Sequence, residues 1–490
     1  MIERPPFAWK PVGTIAAGAA VALLVTITRY DYHRDELYFR MLGSDPKWGY
    51  VDQPPFTPLL MRACVELFGD SVWAIRLPGL ILTVLTAGLL ALIAREVGGG
   101  ARAQGIAALA VLTTFPLVSG HVTVTTGPDL VMWLLAILCM MRALLREQPR
   151  YWLAAGLVVG LALYNKHLIV LLLLTVAVAL LLVGPRRTLA SPWLWGGVAI
   201  AVVVGLPNLL YQIANDFPQV SMAGALRENK GDEARITLLP LQLVWLGPIF
   251  VPVWYCGIVA LLRDPALRAV RAFGLAYPLM LVLLFVLAGQ PYYSVGLLAA
   301  LFAVGSVPVE RWLSTTRRRA LFAAGAVVNC GIAIVSSLPL IPVGVVGQTP
   351  IPAMNQVVAD QIGWPRYVRQ VADVYESLPA EDRARTVLLT GNYGEAGALD
   401  RYGKPLGLPD VYSGQNELWH LGPPPESATV VVFVFQGDPD RLRSFGSCEE
   451  RARLDNGYGV ENEEQTARVY VCRDLNGSWA ELWPRFQHFD

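Results

Sequence analysis

About eleven long apolar runs follow one another through the first two thirds of the chain, and each approaches the roughly 20 residues that a membrane helix needs. Only 16% of the residues are charged, whereas soluble proteins carry roughly 25%. We therefore predict a polytopic α-helical membrane protein. The predicted spans are Pro11–Thr28, Val72–Ala94, Ala103–Ser119, Val124–Leu144, Tyr151–Tyr164, Leu168–Val183, Trp193–Tyr211, Leu238–Leu262, Phe273–Ala288, Tyr292–Val307 and Ala320–Leu340.

The connectors between these runs alternate in charge. Every second connector is basic, as the positive-inside rule requires of cytoplasmic loops. This predicts a multi-pass plasma-membrane protein with a cytoplasmic N-terminus, a retained first helix and an extracytoplasmic C-terminal part. The basic residues are Arg95, Arg102, Arg142, Arg146, Arg150, Arg186, Arg187, Arg263, Arg268, Arg271, Arg311, Arg317, Arg318 and Arg319.

The composition changes after Leu340. We predict a transmembrane domain at residues 1–340, a proline-containing linker at 341–352, and an extracytoplasmic α/β domain at 353–490. Strands are expected at Arg385–Thr390, Ala428–Phe435 and Arg468–Cys472, with helices at Gly363–Leu378 and Ala396–Tyr402. Cys448 and Cys472 would face an oxidising compartment, so we predict that they form a disulfide.

The segment GNYGEAGA, from Gly391 to Ala398, follows a predicted strand and opens a predicted helix. Glycines at such a place suit either a phosphate cradle at a helix N-terminus or a tight strand-to-helix turn. The spacing is not G-x-G-x-x-G, which favours the turn.

The outer loop, residues 29–71, is unusual for a connector. It contains several acids and aromatic residues, and helical spacing of apolar residues follows both Asp35-Glu36 and Pro54-Pro55. We predict two short amphipathic helices on the membrane surface. A solvated loop whose acids merely balance its bases is the simpler alternative.

Three further groups lie on the same predicted face. Asp129 follows Pro128 at a helix start, Lys166 and His167 form a pair between two spans, and Tyr292-Tyr293 occupy a tight turn. Helix capping, snorkelling and an aromatic belt would explain them one by one. Together, acids that bind a metal or take a proton and bases that hold a phosphate indicate a reaction on a lipid-linked, phosphate-bearing substrate.

These motifs resemble the GT-C superfold of membrane glycosyltransferases. The Asp35-Glu36 pair and the run Trp48–Pro55 are similar to family 39, in the branch of protein O-mannosyltransferases and aminoarabinose transferases. Gly127–Asp129, Gly160–His167 and Gln290–Tyr293 agree with the same pattern. The chain departs from it at Gln53 and Gln290, where many relatives carry lysine.

The resemblance implies a GT-C-like fold and an inverting transfer from a polyprenyl-phosphate sugar to a lipid, protein or glycan hydroxyl. It implies Asp35 as general base, with Glu36 as its substitute, and Asp129 as the residue that orients the acceptor. Asp35 and Asp129 together are candidate ligands of a divalent cation, Mg²⁺ or Mn²⁺. Donor phosphate and sugar contacts are expected from Lys166, His167, Arg34, Asp52, Tyr292 and Tyr293.

Two other functions fit the sequence less well. A transporter or flippase would show internal repeats and charges near the midplane of its spans. A non-catalytic assembly factor would use the outer domain to bind a partner. Nucleic acid is not an expected partner, because the net charge is only +1.

Overall fold

The computed structural model describes residues 3–437 and 439–490. Seven helices of the described residues are long and apolar enough to cross a membrane, or up to nine if each of two bent helix pairs is one span. Two of the predicted spans are shorter apolar helices, Tyr151–Ala162 and Ile169–Val183, so the count of eleven stays a prediction. The protein is a multi-pass membrane protein.

The helices of the membrane part and the outer loop are α1 Trp9–Thr26, α2 Arg34–Ser44, α3 Phe56–Phe68, α4 Val72–Glu96, α5 Ala101–Ala108, α6 Thr114–His121, α7 Thr126–Leu145, α8 Tyr151–Ala162, α9 Ile169–Val183, α10 Pro192–Ala214, α11 Pro218–Val244, α12 Val251–Arg263, α13 Arg271–Leu287, α14 Val295–Trp312 and α15 Thr316–Ser337. Each of the two bent helix pairs turns at a short break. The bend of 74° between α11 and α12 lies where Gly247 has a positive φ of 83° and Pro248, which lacks an N–H donor, begins the next turn.

The two short helices predicted in the outer loop are confirmed as α2 and α3. A capping box starts α2: the His33 side chain accepts from the backbone N–H of Asp35, and the Glu36 carboxylate accepts from that of His33. The acids Asp35 and Glu36 therefore lie in the first turn of α2, near the positive end of the helix dipole.

The C-terminal part begins with short helices, α16 Val343–Val346, α17 Ile351–Met354 and α18 Gln356–Ala359. Its α/β fold follows with α19 Trp364–Glu376, α20 Ala380–Arg383, β1 Thr386–Thr390, α21 Tyr393–Gly403, β2 Val411–Ser413, β3 Val430–Phe435, β4 Phe445–Arg453, β5 Arg468–Leu475 and α22 Trp479–Leu482. The sheet order is β2-β1-β3-β5-β4, with β2, β1 and β3 parallel and β4 and β5 antiparallel to their neighbours.

Side chains alternate across this sheet to form three layers. Leu388 and Val432 pack with α19 and α21 on one face, while Leu389 and Phe433 pack with Trp479 on the other. Both β1 and β3 are buried along their full length. The disulfide between Cys448 and Cys472 joins paired positions on β4 and β5.

The outer loop and the C-terminal domain share one hydrophobic core. Leu37 and Phe39 of α2 belong to the same buried cluster as Trp364 of α19 and Ala396 of α21. Gly397 permits this packing, because a Cβ there would lie 2.7 Å from the Cβ of Leu37. The start of α2, which carries Asp35, is therefore held between the membrane helices and the C-terminal domain.

Candidate active site

Asp35 is the partly open carboxylate of the predicted pair, with 33% of its side chain exposed. Its Oδ1 accepts a hydrogen bond of 2.9 Å from the hydroxyl of Tyr393, at the start of α21. Its Oδ2 lies 4.0 Å from Nδ1 of His33, beyond hydrogen-bond distance. One carboxylate oxygen is thus fixed by the C-terminal domain, and the other lacks a close protein partner in the described structure.

The predicted role of Glu36 as a substitute base does not fit its surroundings, which are closed to substrate. Its side chain is fully buried and forms an ion pair of 3.1 Å with Arg76 of α4. It also accepts from the backbone N–H of Thr123 and from that of His33. Both of its carboxylate oxygens accept hydrogen bonds from the surrounding protein, and neither is open to solvent. Glu36 is therefore not placed to act as a base on a substrate.

Lys166 and the tyrosine pair come together as the sequence pattern predicts. The Lys166 ammonium is 3.2 Å from the hydroxyl of Tyr292, and it lies 5.0 and 5.6 Å from the ring centroids of Tyr292 and Tyr293. The two rings meet edge to face at 4.8 Å. These contacts hold a cation beside an aromatic surface.

Asp129 lies in the first turn of α7. Its Oδ1 is buried, and the indole N–H of Trp133, one turn further along α7, approaches the carboxylate as a donor. The carboxylate is within electrostatic range of Lys166. The Asp35 and Asp129 carboxylates both act electrostatically on the Tyr292 hydroxyl, so both lie in its neighbourhood.

Asp52 is another of the predicted site residues. Its Oδ1 accepts from the hydroxyl of Tyr38 at 3.2 Å. Burial raises the pKa of Asp52 to about 7, and the neighbouring Glu417 carboxylate adds to the rise. Glu417, from the C-terminal domain, bonds Lys47 at 2.8 Å and the N–H of Val51 at 2.8 Å, which fixes the loop that bears Asp52.

Two of the predicted phosphate contacts have other partners. Nε2 of His167 bonds Oδ1 of Asn208 at 2.8 Å, and the same amide donates to the carbonyl of Trp48. Burial lowers the pKa of His167, which favours its neutral form. Arg34 forms an ion pair with Glu463 and lies over the Tyr393 ring, so its charge is used at the domain interface.

The predicted metal ligands Asp35 and Asp129 are not part of a larger protein ligand set among the described residues. No group of three or more histidine, cysteine, aspartate or glutamate side chains is placed to hold a metal ion in the part of the chain that the structure describes. Two carboxylates can hold Mg²⁺ together with a substrate phosphate and water, so the divalent cation on Asp35 and Asp129 stays a prediction. We therefore derive no step through a metal ion.

The chain is similar to known membrane glycosyltransferases in sequence and in fold. The family described as dolichyl-phosphate-mannose-protein mannosyltransferase matches residues 52–211. The crystal structure of ArnT from Cupriavidus metallidurans bound to undecaprenyl phosphate superposes with a TM-score of 0.60 at 18% identity, over 95% of this chain and 98% of that chain. The chain has the GT-C fold. It resembles family 39 within that fold.

Two other proteins are similar to this chain, one in structure and one in sequence. The archaeal oligosaccharyltransferase AglB from Archaeoglobus fulgidus, in complex with an inhibitory peptide and a dolichol-phosphate, has a TM-score of 0.51 at 13% identity, over 86% of this chain and 69% of that one. The lipid A galacturonosyltransferase RgtD of Rhizobium johnstonii is 28% identical over 188 residues. That match covers 38% of this chain and 39% of RgtD.

Sequence reasoning missed three residues that shape the site. Arg76 lies inside an apolar run, and Tyr393 and Glu417 lie more than 300 positions after the loop that they contact. Arg76 alone left a signal, because a buried charge within a membrane span is costly and needs a partner.

Proposed function

We propose that the protein transfers a sugar from a polyprenyl-phosphate donor to an acceptor hydroxyl, with Asp35 as the general base. The observation that carries the proposal is the cluster around Tyr292. Lys166 contacts its hydroxyl at 3.2 Å, and Asp35 and Asp129 both act electrostatically on it. Such a site combines a carboxylate that can accept a proton with an ammonium group that can bind a phosphate.

The proposed step is a single displacement with inversion. The acceptor oxygen forms a bond to the anomeric carbon while the bond from that carbon to the phosphate oxygen breaks. Asp35 takes the acceptor proton through Oδ2, since Oδ1 is bonded to Tyr393. A positioned base of this kind contributes about 10²–10⁴-fold to the rate.

The polyprenyl phosphate leaves with the electron pair of the broken bond. Lys166 stabilises the negative charge that develops on it, as preorganised charge does in other transferases. The buried Asp129 carboxylate accepts a hydrogen bond from the sugar or the acceptor. The Tyr292 and Tyr293 rings supply an apolar face against which a sugar ring packs.

The relatives support the class of donor. The ArnT structure contains undecaprenyl phosphate, and the AglB structure contains a dolichol-phosphate. We place the reaction on the outer face of the membrane, with the N-terminus cytoplasmic and the domain of residues 353–490 outside. The acceptor is a lipid, protein or glycan hydroxyl, and RgtD, a lipid A galacturonosyltransferase, favours a lipid.

The test uses the full chain in detergent with a radiolabelled undecaprenyl-phosphate sugar and membrane lipid as acceptor. Asp35→Asn should abolish release of free undecaprenyl phosphate while the protein still folds. Asp45→Asn is the matched control, since Asp45 is on the same loop with half of its side chain exposed. Retention of more than about a tenth of the wild-type rate by Asp35→Asn would remove Asp35 from this role. A transporter would leave the labelled donor intact.

A further inference from the structure

The backbone of Tyr393 is fixed by hydrogen bonds at the start of α21. Tyr393 is the first residue of α21, where Asn392 accepts from the N–H of Glu395 at 2.8 Å and Glu395 accepts from the N–H of Asn392 at 3.3 Å. The N–H of Tyr393 donates to Oε1 of Gln415 at 2.7 Å. The glycine-rich segment is therefore a fixed strand-to-helix turn, and its capping residues already occupy the donors that a phosphate would need.

The ring of Tyr393 is held from two sides by α2. The guanidinium of Arg34 lies 4.7 Å from the ring centroid, which is cation–π distance. The Tyr38 ring lies 4.6 Å away, centroid to centroid. Burial raises the pKa of Tyr393 well above its ordinary value, so the hydroxyl stays protonated and donates to Asp35.

The approach of α21 to α2 leaves little freedom between them. A Cβ on Gly394 would lie 3.1 Å from the Cβ of Arg34, and one on Gly397 would lie closer still to Leu37. An ion pair of 2.6 Å between Arg40 and Asp400 joins the same two helices further along. The Tyr393 hydroxyl thus has a defined position relative to Asp35.

We propose that Tyr393 is a positioning residue by which the C-terminal domain completes the active site. Its hydroxyl holds Oδ1 of Asp35 and thereby turns Oδ2 toward the acceptor hydroxyl. The inference rests on the proposed function. It separates two roles of Tyr393: the ring packs α21 on α2, whereas the hydroxyl orients the base.

Tyr393→Phe separates these roles, because phenylalanine keeps the ring and removes the donor. Tyr402→Phe is the matched control: it makes the same change on α21, and the Tyr402 hydroxyl is beside Asp31 instead of Asp35. In the full-length protein, Tyr393→Phe should lower kcat roughly ten- to hundredfold, as expected for losing a hydrogen bond to a charged group. The KM for the undecaprenyl-phosphate sugar should stay within about twofold, since uniform binding is unchanged.

A double-mutant cycle gives a second readout. If Tyr393 acts through Asp35, Tyr393→Phe should cause much less further loss in an Asp35→Glu background, which keeps a carboxylate and a measurable rate but moves it relative to the Tyr393 hydroxyl, because coupled residues are not additive. Melting temperatures of both tyrosine variants should match, since each keeps its ring.

Three results would overturn the inference. The first is a Tyr393→Phe enzyme with at least half of the wild-type kcat while Asp35→Asn is inactive, and this result leaves the proposed function intact. The second is an equal loss in both tyrosine variants, and the third is a change confined to KM. Failure of the proposed function itself looks different: Asp35→Asn and the wild type would then release undecaprenyl phosphate equally.

Discussion

Glu36 and Arg76 form an ion pair of 3.1 Å in which neither side chain has any exposed surface. The same guanidinium donates to the carbonyls of Ile27 and Asp31, at 2.9 and 2.6 Å. One arginine of α4 therefore ties the end of α1 to the start of α2. Asp35, next to Glu36, gains its position from this buried pair.

Glu36→Gln should destabilise the protein, because it leaves the Arg76 charge buried without its counter-ion. Breaking such a pair costs about 3–5 kcal/mol. Thermal unfolding in detergent should show a clearly lowered Tm. The control is Glu66→Gln, which breaks an exposed pair with Arg62 and should change the Tm little. Equal Tm values for the two variants would argue against a scaffold role for Glu36.

Lys166→Met should slow sugar transfer without unfolding the protein, since methionine keeps much of the side-chain volume and removes the charge. We expect kcat to fall roughly 10²–10³-fold, the loss seen when one group that stabilises developing charge is removed. Release of undecaprenyl phosphate measures it. Lys230→Met is the control, because Lys230 is half-exposed and pairs with Asp490. Comparable rates in both variants would show that Lys166 does not stabilise the leaving phosphate.

The raised pKa of Asp52 should lower the free energy of unfolding as the pH rises. Its pKa is about 7 in the folded protein, above its ordinary value of 3.8. Between these values the folded state binds more protons than the unfolded state, so stability falls with rising pH by up to about 1.4 kcal/mol per unit. Asp52→Asn should therefore lose less Tm than the wild type between about pH 4 and pH 7, the window set by the two pKa values. Parallel Tm profiles would contradict the assignment.

Removing the Cys448–Cys472 disulfide should weaken the C-terminal domain. The bond joins β4 to β5 across 24 residues of chain, and a cross-link of this kind contributes roughly 2–4 kcal/mol. The double variant Cys448→Ser/Cys472→Ser should unfold at lower denaturant than the wild type. Reductant should shift the wild type toward the variant and leave the variant unchanged. A wild type insensitive to reductant would show that the bond adds little.

The sequence predicted the elements whose signal is local. Long apolar runs marked the membrane helices, and helical spacing marked α2 and α3 inside the outer loop. The strands β1, β3 and β5 were predicted because they are apolar and β-branched. Asp129, Lys166 and Tyr292 were chosen as candidates because charged and aromatic residues are unusual beside lipid, and their roles stay predictions.

What was missed depends on the fold of distant segments. Strand β2 has only three residues, and β4 is an edge strand with a mostly exposed, charged sequence, so neither has a hydrophobic signal. His167 and Arg34 were expected at the phosphate because of their charge, but Asn208 and Glu463 occupy them. Pairings between residues hundreds of positions apart have no counterpart in local sequence pattern.

The bond between Asp35 and Tyr393 spans 358 positions of the chain. Translation proceeds from the N-terminus, and domains tend to fold as they emerge. The membrane helices are therefore synthesised before Tyr393 is available to bond Asp35. If Asp35 is the general base that we propose, the site would become complete only when the domain of residues 353–490 docks on α2.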